Sequence, residues 1–253
     1  MSEHIAFIGG GNMASAIIGG LIKQGLAPAH IDVLEPFAEA QTKLQTSFGI
    51  TAQPQAGDFL AKADLVVWAV KPQTFKEAAQ AVAPHTGNAL HLSVAAGIRS
   101  DSIATWLGTE RVVRAMPNTP ALIGQGISGL FARASVTAQD KARIDQVIAT
   151  TGQSLWLDAE NQLDVVTALS GSGPAYVFYF MEAMTTAGAG ASALAQASDE
   201  SPQVLRQRVT SKGGTTFAAI SSMEDNDMRA LFIDAMYAAR ERAKELGDEF
   251  GAA

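Results

Sequence analysis

The stretch LVVWAV (Leu65–Val70) runs without a polar residue between Asp64 and Lys71, and nothing else in the chain constrains the fold as tightly. A strand with no polar face has to be covered on both sides, which is the situation of a central strand in a parallel sheet flanked by helices. Its neighbours in sequence keep the same rhythm. HIAFI (His4–Ile8) predicts a buried strand and Met13 to Leu26 a helix, with Gly25 near its end. HIDVLEP is a short strand closed by Pro36, followed by a helix from Phe37 to Phe48 that Gly49 ends. ALHLSVAAG and ERVVRAMPN follow as two more strands, and GISGLFA and SLWLD (Ser154–Asp158) as further strands at a sheet edge. Between those last two lies a helix whose start, Thr137 to Asp140, has the form of a capping box. Strands alternating with helices predict an α/β domain with a parallel sheet and helices on both faces.

The first of these strands opens onto Gly9-Gly10-Gly11-Asn12-Met13-Ala14, which fits G-x-G-x-x-A between strand and helix. Gly9 permits the tight turn, Gly11 lets backbone approach a pyrophosphate, and Ala14 keeps the helix close to the sheet. The helix start at Asn12 and Met13 supplies N–H groups and partial positive charge. Glu35 closes the second strand, where an acidic group meets a ribose 2′-hydroxyl; the competing reading is a solvated residue before a turn proline. A carboxylate there repels a 2′-phosphate, and the nearest base in sequence is Lys43, so of NADPH or NADH the pattern leans toward NADH. Two later loops also leave strand C-termini, where ligands sit in such sheets. They are Ala69-Val70-Lys71-Pro72 and Met116 to Pro120, which contains Asn118. Their prolines alone would end strands; their shared edge predicts contact with nucleotide or nicotinamide, with Lys71 a solvated cation.

From about Gln162 the strand signals stop. NQLDVVTAL is helical, SGSGP (Ser170–Pro174) interrupts, and AYVFYFMEAMTTAG resumes, with Ser172 suited to the cap and Pro174 to the first turn. A further helix, DESPQVLRQRV, follows Ser198, and the last carries Met228, Leu231, Phe232, Ala235 and Met236 on one face. Between these two, Gly213 and Gly214 stop one helix while Thr215 and Thr216 start another, leaving bare backbone N–H groups at the new start. The chain thus divides into a Rossmann-type dinucleotide-binding domain, 1–160, and an all-helical domain, 161–253. The second has only about 90 residues with which to bury apolar faces. The run YVFYFMEAM is apolar nearly all round, so a second subunit is expected to cover it; the competing reading is that it packs on the nucleotide domain of the same chain.

Other classes fall away on composition. A formal net charge of −7 argues against a nucleic-acid surface. The chain has no cysteine, which removes disulfides, thiolate ligands and thiol nucleophiles. Its four histidines are scattered, giving no metal-ligand spacing. The longest apolar runs are far short of the ~18 residues of a membrane span, and no basic, apolar leader precedes the first strand. A cytoplasmic protein, in contact with neither membrane nor nucleic acid, is the expectation.

The segments FIGGGNMASAIIGGL, WAVKPQ, RAMPNTPALIGQG, LSGSGPAYVF and VTSKGGTTFAAI resemble, in order and across nearly the whole chain, those of the pyrroline-5-carboxylate reductase family. That resemblance implies reduction of the C=N bond of 1-pyrroline-5-carboxylate by NADPH or NADH, giving L-proline. It also implies a homodimer or higher homo-oligomer, with helical domains intertwined and the active site between nicotinamide and helical dimer. Backbone N–H groups of Gly213, Gly214, Thr215 and Thr216 would hold the substrate carboxylate, with Ser172 also at the substrate. Thr216 would hydrogen-bond the ring nitrogen as the catalytic side chain. One departure stands out. The stretch MEAMTTAGAGASALAQASDE is shorter than the family pattern by about eighteen residues, roughly a loop plus two to three helical turns, so that two helix pieces meet near Ala187-Gly188-Ala189-Gly190 without the usual connector. Two alternatives stay open. A beta-hydroxyacid dehydrogenase shares the general plan but uses a lysine following a glycine-rich segment, whereas Lys212 precedes Gly213. A non-catalytic dinucleotide-binding protein would keep the first domain alone in use.

Overall fold

The computed structural model describes residues 4–184 and 186–251. The buried runs form the strands β1 (Ile5–Ile8), β2 (Ile31–Leu34), β3 (Leu65–Trp68), β4 (Leu90–Ser93) and β5 (Val112–Met116). The helices between them are α1 (Asn12–Lys23), α2 (Ala38–Phe48), α3 (Pro72–Thr86) and α4 (Ser100–Leu107). Next come β6 (Gly126–Ala132), α5 (Ala138–Ile148) and β7 (Gly152–Trp156) in one seven-stranded sheet of order β2-β1-β3-β4-β5-β6-β7. The register is regular: Phe7 lies between Val33 of β2 and Val67 of β3.

Both faces of the sheet are dry at its centre, where β1, β3 and β4 are buried at every position, as the apolar runs require. Phe7, Val67 and Leu92 pack with Ile17 and Ile18 of α1 and Ile144 of α5 on one side. On the other, Ala6, Ile8, Val66 and Trp68 meet Phe75 and Ala79 of α3 and Ile103 of α4. Buried polar atoms have to find partners inside, and the Trp68 indole N–H donates to His91 Nδ1 at 3.1 Å. Burial pushes the His91 imidazole down to about 4, with the positive charge of Arg111 adding to the shift. The capping box of α5 is complete: Asp140 N–H donates to Thr137 Oγ1 and Thr137 N–H to the Asp140 carboxylate.

Several expectations are corrected. The sheet is not wholly parallel, because β6 runs antiparallel to β5. The connection between them holds only a 3-10 turn, Thr119–Ile123, and a parallel return needs a crossover of a dozen residues or more. Strand β7 starts two residues before SLWLD, at Gly152. The SGSGP segment does not break the helix cleanly: α6 (Gln162–Val166) runs into a π-turn, Thr167–Gly171, before α7 (Gly173–Met184). The remaining helices are α8 (Thr186–Gln196), α9 (Pro202–Arg208), α10 (Thr215–Asp225) and α11 (Met228–Gly251). Helix α9 begins later than the pattern predicts because Ser201, whose hydroxyl accepts from Val204 N–H, caps it and Pro202 opens it.

The chain forms two compact units. One comprises Met1–Gly171 with Arg240–Ala253, the other Ser172–Ala239. The end of α11 therefore packs with the sheet: Gly97 faces Leu246 and Phe250, and Gly247 lies against the Arg99 guanidinium. No described helix is long and apolar enough to cross a membrane.

Candidate active site

The chain leaves β1 for β2 on one side and returns to β3 on the other, so the strand order reverses at β1 and β3. A crevice opens at such a reversal, above the C-terminal ends of the strands. The loops at this edge follow β1 (Gly9–Gly11), β3 (Ala69–Lys71), β4 (Val94–Arg99) and β5 (Pro117–Asn118).

Gly9 has φ +94, and a Cβ there would lie 2.7 Å from the Ala69 carbonyl oxygen. The β1 and β3 loops thus meet at a spacing only glycine allows. Gly11 precedes α1 in extended backbone with nothing within 4 Å of where its Cβ would stand. The N–H groups of Asn12, Met13 and Ala14 have no earlier turn to bond to, and no acidic residue occupies this first turn. Ala14 is fully buried, drawing that helix start onto the sheet. The arrangement suits a pyrophosphate.

Glu35 is neither solvated nor loose. Its carboxylate accepts from Gly10 N–H at 2.7 Å and Phe37 N–H at 2.9 Å, and the residue is buried. The acidic group is thereby fixed directly against the glycine turn. Lys71 is exposed at the start of α3, with Pro72 in the first turn. The Asn118 side chain is engaged inside the protein at both ends: its Oδ1 accepts from Ile127 N–H and its Nδ2 donates to Ser170 Oγ. Its backbone and the second hydrogen on Nδ2 are left to face a ligand.

In the helical unit, the end of α9 and the start of α10 are joined through Ser211 to Gly214. Gly213 is left-handed at φ +74, and Gly214 N–H bonds back to Ser211 O at 3.0 Å. A Cβ on Gly214 would come within 2.6 Å of Ser211 Oγ. Helix α10 then starts with no side-chain cap and no acidic residue in its first turn, so the N–H groups of Thr215 and Thr216 stay unpaired within it. Gly213 and Thr215 are exposed, and Gly214 and Thr216 half-buried. Ser172 is half-buried, its carbonyl accepting from Ala175 N–H at the start of α7.

Sequence reasoning missed a polar cluster beside the β4 loop. Arg114, in the middle of β5, is buried and paired with Glu160 at 2.6 Å. The available signal was the arginine itself, since a charge inside an apolar strand needs a partner.

A glycine turn at the switch point of a parallel sheet, followed in the chain by a helical unit, defines the class of dinucleotide-dependent oxidoreductases. Residues 4–97 match the family model described as NADP oxidoreductase coenzyme F420-dependent. Residues 160–190 and 188–246 match that for pyrroline-5-carboxylate reductase dimerisation. The chain is 45% identical to a pyrroline-5-carboxylate reductase of Pseudomonas aeruginosa, over 99% of each. The structure of a Coxiella burnetii pyrroline-5-carboxylate reductase superposes with a TM-score of 0.84 at 36% identity, covering 97% of this chain and 99% of that one. The Plasmodium falciparum pyrroline carboxylate reductase, solved with NADP bound, superposes at 0.83 with 25% identity, over 97% and 98%. The chain belongs to the pyrroline-5-carboxylate reductase family. The shortened segment is evident here too. The Pseudomonas alignment has 270 positions against 253 residues, so at least 17 fall opposite gaps in this chain, and the dimerisation model matches in two pieces that meet at 188–190.

Proposed function

We propose that this chain reduces the C=N bond of 1-pyrroline-5-carboxylate with NADH or NADPH, giving L-proline, and that the open start of α10 holds the substrate. The observation that carries this reading is the uncapped helix N-terminus behind Gly213 and Gly214. Unpaired N–H groups and the positive end of the helix dipole there suit one small carboxylate.

The N–H groups of Asn12, Met13 and Ala14 would hold the pyrophosphate of the dinucleotide at the sheet edge. Ala69, Val70, Lys71, Pro72 and the Asn118 backbone border the dinucleotide further along. Glu35, fixed beneath the glycine turn, places negative charge where a 2′-phosphate would sit and favours NADH. The nicotinamide supplies the hydride that adds to the imine carbon. Gly213, Gly214 and Thr215 fix the ring through its carboxylate, with Ser172 at the same substrate, so the residues' main work is orientation. Thr216 hydrogen-bonds the ring nitrogen and steadies it as the imine becomes an amine. No carboxylate or histidine stands between Thr210 and Ile220, so the proton on nitrogen comes with the protonated imine or from water.

A second copy of the chain covers the apolar helices, making a homodimer or a larger homo-oligomer, in the cytoplasm. The functional division falls near residue 160, between dinucleotide-binding and dimerisation regions, although the compact units divide at Gly171.

Oxidation of NADH and NADPH measured in parallel with purified chain and 1-pyrroline-5-carboxylate tests the reaction, and NADH is expected to give the higher kcat/KM. Loss of one hydrogen bond made to the reacting nitrogen predicts that Thr216→Ala lowers kcat by about tenfold to a hundredfold, with the cofactor Kd unchanged. An unaltered kcat removes Thr216 from its role, and absence of turnover with either cofactor removes the reaction.

A further inference from the structure

The loop Val94–Ile98, between β4 and α4, carries no polar side chain, so side-chain hydrogen bonds to it come from residues outside it: near its upstream end Ala95 N–H donates to Ser93 Oγ at 3.3 Å. At its upstream end Val94 N–H bonds to Trp68 O at 3.0 Å, which continues the sheet. At its downstream end α4 starts behind Arg99, which occupies the cap position and has no acceptor in its side chain. Within that first turn Ser102 N–H donates to the side chain of Asp101 at 2.8 Å, whereas Ser100 N–H needs an acceptor from elsewhere.

It comes from sixty residues further along the chain. Glu160 Oε1 accepts from Ser100 N–H at 2.6 Å, and its Oε2 accepts from the Ser100 hydroxyl at 2.7 Å. The carboxylate thereby serves as the missing cap and places negative charge at a helix N-terminus, where the dipole favours it. It is itself held: Arg114 Nη1 donates to Oε1 at 2.6 Å from a guanidinium that is 7% exposed. Arg133 Nη1 donates to Ser100 Oγ at 3.3 Å, which leaves the hydroxyl proton pointing at Glu160. Beside this group, Arg99 is paired with Asp248 at 3.2 Å and Asp164 at 3.9 Å. Ser100 is almost fully buried, so water cannot replace the carboxylate.

We infer that Glu160 is a positioning residue for the cofactor: it fixes the downstream end of the Val94–Ile98 loop at the sheet edge and so sets the shape of the surface that receives the nicotinamide half. This rests on the proposed placement of the dinucleotide along that edge. A merely structural carboxylate would change stability and leave cofactor affinity alone. A positioning one changes affinity for the cofactor and not for the imine.

The test is titration of the full-length chain with NADH and with NADPH in the absence of imine, alongside KM for each substrate and a thermal melt. Glu160→Ala is expected to weaken cofactor binding by about tenfold, and Glu160→Gln, which keeps an acceptor for Ser100 N–H, by about threefold. KM for the cofactor should rise in the same proportion, with KM for the imine within about twofold of the parent. A folded Glu160→Ala chain that binds cofactor like the parent overturns the inference, whatever its melting temperature. So does an equal rise in both KM values. Should Glu160→Ala fail to fold, Ser100→Ala decides, because it removes only one of the donors: about threefold weaker cofactor binding is expected, and unchanged binding overturns the role. The titration needs no imine, so a parent chain that binds cofactor without reducing 1-pyrroline-5-carboxylate removes the proposed reaction and leaves Glu160 still tested.

Discussion

The two units of this chain treat their apolar residues in opposite ways. Strands β1, β3 and β4 are buried at every position, and helices on both faces close them off from water. Among the described residues of Ser172–Ala239 not one is buried. Phe178, Tyr179, Leu231 and Tyr237 all stand more than half exposed. Phe180 and Phe232, with Met223 and Met228, line an open groove of about 730 Å³. The sheet unit has its core within one copy. The helical unit has the material of a core with nothing closing over it, and at roughly 25 cal/mol per Å² of apolar surface that exposure is costly. A sheet meets its need for cover from helices adjacent in sequence. A small set of apolar helices has too little volume to enclose itself, which is why a second copy is proposed to cover it.

The largest expected effect breaks this contrast directly. Phe178→Asp combined with Leu231→Asp changes side chains that are exposed in a single copy, where such substitutions cost within about 0.5 kcal/mol. If they are covered by a second copy, each costs about 2 kcal/mol or more, and association weakens by about a thousandfold. Light scattering after gel filtration should then show monomer at micromolar concentration, with imine reduction lost. An unchanged oligomer would mean that these helix faces are not where copies meet.

Acid should discriminate the units next. The imidazole of His91 is held near 4 against 6.5 for the unfolded chain, so the unfolded state takes up its proton first. The stability tied to the neutral ring is complete above pH 6.5 and is lost as pH falls through about 4, a difference of about 3 kcal/mol. Urea unfolding of the sheet unit, followed between pH 7 and 4, should show this loss, and His91→Gln should flatten it. A pH dependence that survives His91→Gln assigns the titration elsewhere. Smallest is Thr137→Ala, which removes the hydroxyl from the α5 capping box and should lower stability by about 1 kcal/mol. That loss should appear in the melting of the sheet unit, with the oligomeric state untouched.

Much of the sheet unit was legible because its determinants are local. A six-residue apolar run between two charges, rich in β-branched residues, reads as an inner strand, and Gly9 to Ala14 between strand and helix reads as a tight turn at a helix start. The capping box at Thr137 was readable for the same reason. Legibility failed where the deciding partner lies far along the chain. Glu35 read as either a ribose contact or a solvated residue, and its engagement with Gly10 N–H required the two strands to be side by side. Asn118 read as a ligand contact, and the tie its side chain makes between Ser170 and Ile127 was not legible because both partners lie further along the chain.

The sequence by itself determined the class of fold, the glycine turn and the uncapped helix start at Gly214, because periodicity and backbone chemistry act within a few residues. Tertiary structure alone decided that β6 turns back against β5, that the end of α11 returns to the sheet, and that Glu160 caps a helix sixty residues before it. Those outcomes depend on which groups meet once the core has closed, and a buried donor accepts whichever partner the closed core brings within reach.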